Sequence, residues 1–223
     1  MKITFVTEKT LNGAWQDNLT ALKGCDVAVF GFNGLGLVSY KKELNGETEY
    51  FQDVARLSKQ LNPVVISGCD TDTYGVFRHS AVIADRGKLL GVSDMAHAID
   101  ESEFVPGGNF RVYDTESGKI GIIVGEDLFF PETARVLSLC DADFLIGVTG
   151  KTKNGMAEIM ARASAFSNGL TVILMHEDGV FVAGSGGEVL FSARKDVSRL
   201  ELKLTRDYHK ISTKRRGFSF DTV

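Results

Sequence analysis

The sequence predicts an α/β (α+β) fold, with a mixed sheet or two sheets and helices packed outside. Three observations carry this. Short apolar runs rich in β-branched residues recur at Val27-Ala-Val-Phe30, Pro63-Val-Val-Ile66, Ile120-Gly-Ile-Ile-Val124 and Phe144-Leu-Ile146, each too brief for a helix. Strand and helix patterns alternate at both ends of the chain, with hairpins between. Residues 118–135 read as a buried strand, a sharp turn at Gly125 and a helix start marked by Pro131, an elbow of the kind that lifts one residue into a pocket.

The elements follow in order. Residues 2–7 alternate Ile3 and Phe5 with Thr4 and Val6 as a first strand. Residues 11–23 space Leu11, Trp15, Leu19 and Leu22 as a helix, with Trp15 in the core and Gly24 as the stop. Val27–Phe30 is a buried strand. The following Gly31-Phe-Asn-Gly-Leu-Gly36 superficially resembles a phosphate loop, but its spacing fits neither the dinucleotide fingerprint nor the P-loop. Residues 46–61 form an amphipathic helix with a stripe of Tyr50, Phe51, Val54, Leu57 and Leu61, and Pro63 lies just beyond. A strand at 63–68 leads to a hairpin of 78–84 and 88–92 around Asp85-Arg-Gly87.

Residues 93–109 lack periodicity and form a long loop carrying Asp94, His97, Asp100, Glu101 and Glu103. A second hairpin pairs 110–114 with 119–124. After the elbow, Ala134, Leu137 and Leu139 belong to a helix ending near Cys140, and 143–148 is another buried strand. Residues 154–168 read as a helix with Asn154 as N-cap, Met156, Ile159, Met160, Ala163 and Phe166 facing inward, and Gly169 as its end. Strands at 170–175, 180–183, 188–191 and 197–204 close the domain, assigned to residues 1–206. Residues 207–223, with Lys210, Lys214, Arg215 and Arg216, read as a solvated basic tail.

Composition narrows the function classes. A net charge of −4 offers no global basic surface for nucleic acid. No apolar run approaches the roughly 18 residues of a membrane span. The polar N-terminus enters a strand directly, which argues against a signal peptide. Three cysteines without close pairs fit a reducing cytoplasm better than a disulfide framework. No cofactor is implied.

The stretch Gly118-Lys-Ile-Gly-Ile-Ile-Val-Gly-Glu-Asp-Leu-Phe-Phe-Pro-Glu132, with Arg135, resembles the elbow of the nitrilase, or carbon–nitrogen hydrolase, superfamily. There the strand ends in Cys-Tyr-Asp or Cys-Glu-Asp, followed by Phe-Pro-Glu. The Glu126-Asp127 pair is similar to the glutaminase branch. Arg78-His-Ser-Ala81 resembles the family's Asn-Ser-Ala hairpin, Phe104-Val-Pro-Gly107 its Phe-x-Pro-Gly turn, and Arg162-Ala163 and His176-x-x-Gly179 its later segments. The likeness runs in colinear order over about residues 2–206. It implies a four-layer α-β-β-α sandwich, dimerised through helices near the elbow. It also implies a Glu-Lys-Cys triad in which a thiolate attacks carbon, the Glu is general base and the Lys stabilises the oxyanion.

This sequence departs from the triad at every position. The Cys position is Gly125, the Glu position falls on Phe32 or Asn33, and the Lys position on Ser93 or Asp94. Gly125 has no atom with which to form a thioester, and a carboxylate at Asp94 would repel an oxyanion. The sequence therefore predicts a non-catalytic pseudoenzyme with a binding, regulatory or assembly role. Its expected pocket is Asn33, Asp94, His97, Gly125, Glu126 and Asp127, suited to a small carbonyl- or amine-containing ligand at the elbow's N–H groups. The alternative is a diverged amidohydrolase using water activated by these carboxylates or a metal. Of these carboxylates, Asp127 is expected to cap the elbow helix and Glu126 to be partly exposed. Cys69 and Cys140 are expected as core thiols, His79 as a structural hydrogen bonder, and His176 as a pocket candidate.

Overall fold

The computed structural model describes residues 1–8, 11, 20–99, 103–150, 155–177, 179–194 and 196–207. Two mixed sheets face one another. The first has β1 (Lys2–Val6), β2 (Val27–Phe30), β3 (Leu37–Ser39), β4 (Val64–Thr73), β5 (Val76–Asp85), β6 (Lys88–Asp94) and β13 (Val197–Glu201). Its order is β13-β1-β2-β4-β5-β6, and β3 pairs with the far end of β4 beyond the reach of β2. The second sheet runs β12-β11-β10-β9-β8-β7, from β7 (Val112–Thr115), β8 (Gly118–Val124), β9 (Phe144–Val148), β10 (Thr171–His176), β11 (Gly179–Ala183) and β12 (Val189–Ala193). The central strands of each sheet are parallel, β1-β2-β4 and β8-β9-β10, and the hairpin strands at their flanks antiparallel.

Alternation along the strands separates three cores. Ile3, Phe5, Val29, Ile66 and Ile83 from the first sheet meet Ile122, Val124, Ile146, Ile173 and Val182 from the second. The outer face of the first sheet, with Val65, Val82 and Ala84, is covered by Val54 and Leu57 of α2 (Tyr50–Leu61). The outer face of the second, with Ile123, Leu145 and Val172, is covered by α3 (Pro131–Leu139) and α4 (Met156–Asn168). The result is the four-layer α-β-β-α sandwich. Among the described residues, no helix is long and apolar enough to cross a membrane.

Several elements match their sequence patterns. The stripe of α2 lies as read, and Pro131 opens α3 at its first turn. The hairpin at residues 86–87 has both residues in the left-handed region, Arg86 at φ 49° and Gly87 at φ 79°, as a two-residue turn between twisted strands requires. A second such turn, at Tyr74 and Gly75, closes a β4–β5 hairpin where the sequence indicated only separate strands at 63–68 and 78–84. The short strand β3 and the helix α1 (Tyr40–Leu44) were not legible.

The predicted inward face of α4 is corrected. Ala157, Ala161, Ser164, Ala165 and Asn168 are buried, while Met156, Ile159, Ala163 and Phe166 are exposed, and of the predicted face Met160 alone packs against the core. The inward face is thus built mainly from small residues packed on the second sheet and α3. Cys140 is likewise exposed at the end of α3, whereas Cys25 and Cys69 are buried. Trp15, Leu19, Asn154 and the tail from residue 208 lie outside the described residues, as do Asp100 and Glu101.

Candidate functional site

The elbow forms at the end of β8. Gly125 adopts φ 55° and opens a 3-10 turn (Gly125–Phe129) that leads into α3. A left-handed φ strains any residue with a Cβ. A Cβ built on Gly125 would also lie only 2.7 Å from the sulfur of Met95. Met95 is buried in the core between the sheets, and its Sδ accepts the backbone N–H of Glu126 at 3.3 Å. The space above the elbow is thus filled by a thioether, a soft side chain that fits irregular gaps and is a weak acceptor.

The loop after β6 is fastened to the elbow by two carboxylates. Asp127 accepts the N–H of Ala96 (2.9 Å), the N–H of His97 (2.9 Å) and the His97 ring Nδ1 (2.8 Å). Glu126 accepts the N–H of Ile99 at 2.5 Å. His97 stacks on Phe130, with centroids 4.1 Å apart and planes 13° off parallel, and on Phe110 at 5.7 Å. Asp127 is buried, and burial pushes its pKa up, while the bonds from Ala96 and His97 pull it back. The expectation that Asp127 caps its own helix is corrected. The elbow turn has no side-chain cap, and the carboxylate holds a backbone some thirty residues earlier.

The other predicted site residues divide. Asp94 does not face Gly125. It accepts the hydroxyl of Ser80 at 2.7 Å and lies 3.9 Å from the Arg78 guanidinium. Ser93 bonds the Tyr113 hydroxyl at 2.9 Å. Strand alternation explains this: Ser93 and Met95 point between the sheets and Asp94 to the opposite face. Asn33 is exposed, whereas Phe32 packs on the inter-sheet core. Its backbone crosses β4 so closely that a Cβ at Gly68 would lie 2.4 Å from the Phe32 carbonyl oxygen. His97, Gly125, Glu126 and Asp127 do come together. His176 is buried, with Nε2 3.9 Å from Glu158. Cys69 sits under the first sheet's outer face, where burial, with Asp70 and Asp94 adding, pushes its thiol well above the ordinary range. Among the described residues, no group of three His, Cys, Asp or Glu is set to hold a metal ion.

Sequence reasoning missed Met95 and Asp70. Met95 was signalled only as the one large apolar residue in Ser93-Asp-Met-Ala-His97. Asp70 pairs with His79, whose Nδ1 lies 2.6 Å from its carboxylate, in the part of β4 beyond residue 68, where the sequence reading ended the strand.

The model for carbon-nitrogen hydrolases matches residues 14–195. The chain belongs to the carbon–nitrogen hydrolase family. A probable nitrilase of Schizosaccharomyces pombe is 26% identical over 145 residues, 61% of this chain and 53% of the relative. The chain therefore spans about half the length of that relative. An (R)-stereoselective amidase of Pseudomonas sp is 25% identical over 204 residues, 84% of this chain and 72% of the relative. Among solved structures, Saccharomyces cerevisiae Nit3, a member of branch 10 of the nitrilase superfamily, superposes with TM-score 0.77. The match covers 100% of this chain and 95% of that one at 17% identity. An amidase mutant from Nesterenkonia sp. AN1 in complex with butyramide superposes with TM-score 0.76 at 15% identity, covering 100% and 97%. At such identities the superpositions establish the shared fold.

Two predictions follow from this geometry. Gly125→Ala is expected to destabilise by about 2 kcal/mol, combining left-handed strain with the Met95 contact. Met95→Ala in the same chain should recover the steric part, so a double-mutant cycle by urea denaturation should show coupling between the two sites. Because the Asp127 pKa is raised from 3.8, the folded chain holds that proton more tightly than the unfolded one. The resulting stability is complete below 3.8 and lost as pH rises through the folded value. Wild type should accordingly lose stability relative to Asp127→Asn as pH rises from 3.8 through the raised folded value, followed by urea denaturation across the acid range.

Proposed function

We propose that the chain is a non-catalytic member of its family, a pseudoenzyme that keeps the scaffold for a binding, regulatory or assembly role in the cytoplasm. One observation carries this: Met95 Sδ sits where a side chain on residue 125 would project and takes the Glu126 N–H. Nucleophilic catalysis needs an attacking atom, a base and a donor for the developing charge. Gly125 supplies no attacking atom. Phe32, the inward-facing candidate for the base position, is apolar. The donor at the elbow is already bonded to sulfur.

The relatives' names, nitrilase, amidase and citrullinase, raise the alternative of hydrolysis at a small amide or nitrile C–N bond through activated water. The carboxylates such a route would use have other partners, and Asp94 accepts the Ser80 hydroxyl and lies 3.9 Å from the Arg78 guanidinium. Asp127 accepts two backbone N–H groups and the His97 ring, and Glu126 accepts Ile99. A base needs a lone pair aimed at water. The non-catalytic reading is therefore the better supported.

A homodimer is part of the same proposal. Met156, Ile159 and Phe166 leave an exposed apolar stripe on α4, and Ile159, Ala163 and Phe166 line a groove against Gly186 and Gly187. Val136 of the adjoining α3 is also exposed. Covering this face would remove apolar surface from water.

Purified protein should show no turnover of an amide and nitrile panel above the buffer rate. Turnover that disappears in Glu126→Gln would overturn the reading. Light scattering should give the mass of a dimer for wild type, and of a monomer for a variant carrying both Ile159→Lys and Phe166→Lys.

A further inference from the structure

A second cluster lies at the same end of the sandwich, on the inter-sheet face of the β4–β5 hairpin. Asp70 and His79 are cross-strand partners whose side chains share a hydrogen bond of 2.6 Å, each about a quarter exposed (23% and 24%). The His79 ring stacks on Phe104, with centroids 3.7 Å apart and planes 17° off parallel. Phe32 meets it edge-on at 4.9 Å, and Phe77 meets Phe104 at 6.5 Å. All three phenylalanines are half-buried. The backbone carbonyl of His79 also accepts the N–H of Met95, so this cluster adjoins the filled elbow.

The chemistry of the pair is directional. A carboxylate on Nδ1 holds the neutral imidazole as the Nδ1–H tautomer, leaving a lone pair on Nε2. Nε2 points away from Asp70, and no described residue hydrogen-bonds to it. Stacking on Phe104 fixes the ring plane, so the direction of that lone pair is fixed too. Phe32 and Phe104 flank the ring, and the Asp70 carboxylate sits at its Nδ1 edge.

We propose that His79, oriented by Asp70, is a ligand-binding centre that takes small flat aromatic molecules bearing an N–H donor, of the carboxamide or amidine class. The donor bonds to Nε2 and the ring lies against Phe32 and Phe104. The Asp70 carboxylate disfavours an anion of the same shape. The proposal rests on the non-catalytic binding reading and moves the working polar group from the elbow to the hairpin.

Imidazole-labelled protein observed by long-range proton–nitrogen NMR tests it, with benzamide, benzamidine and benzoate as probes. The expected result is an Nδ1–H tautomer at His79, an Nε2 shift on adding benzamide or benzamidine, and none with benzoate. Asp70→Asn should weaken benzamide binding about fivefold to tenfold, the size of one hydrogen bond, with thermal stability monitored alongside. His79→Phe, which keeps the stack, should abolish it. The proposal is overturned if benzoate binds as well as benzamide, if the shifts fall on other histidines, or if no probe shifts Nε2. Turnover of the amide panel would sink the non-catalytic reading alone, and silent NMR spectra without turnover would sink this site alone.

Discussion

The contact of the Met95 sulfur with the Gly125–Glu126 backbone is the constraint around which this end of the molecule is built. Met95 follows β6 of the first sheet, and Gly125 follows β8 of the second, so the contact joins the sheets where their cores run out. It requires a residue without a Cβ at a left-handed φ and a side chain without branches opposite. The bonds from Ala96, His97 and Ile99 to Asp127 and Glu126 then hold the loop down over the sulfur. A buried carboxylate is costly unless its oxygens are satisfied. Asp127 is satisfied only while the loop is in place, so the electrostatic and the packing terms favour one arrangement.

This division of labour also explains the loop's histidine. His97 has one ring nitrogen on Asp127 and its face on Phe130. It serves as a strut between the loop and the start of α3, and its hydrogen bond partly offsets the cost of burying the carboxylate. Among the residues that suggested acid–base chemistry in the sequence, His97, Glu126 and Asp127 hold the loop against the elbow.

Much of the fold was legible because its signals are local. The α2 stripe, the Arg86-Gly87 turn and the Pro131 helix start each follow from residues within a few positions of one another. The colinear family motifs extended that reading to the layered architecture. Other features depend on contacts that periodicity does not encode. In α4 both the alanine face and the Met156, Ile159 and Phe166 face repeat at helical spacing, and only packing against the sheet and α3 decides between them. Asp127 meets its partners about thirty residues away, a separation at which its own helix seemed the simpler destination. Asp94 was misplaced because one step along a strand reverses the face, and Met95 stood at the next step.

The filled elbow has a bearing on how such a protein tolerates substitution. With a thioether 2.7 Å from where a Cβ would stand, placing any side chain at residue 125 incurs a steric penalty. Withdrawing the thioether alone leaves a void above the glycine. Either single substitution gives a less stable chain, so the two positions are interlocked and tolerate change only in concert.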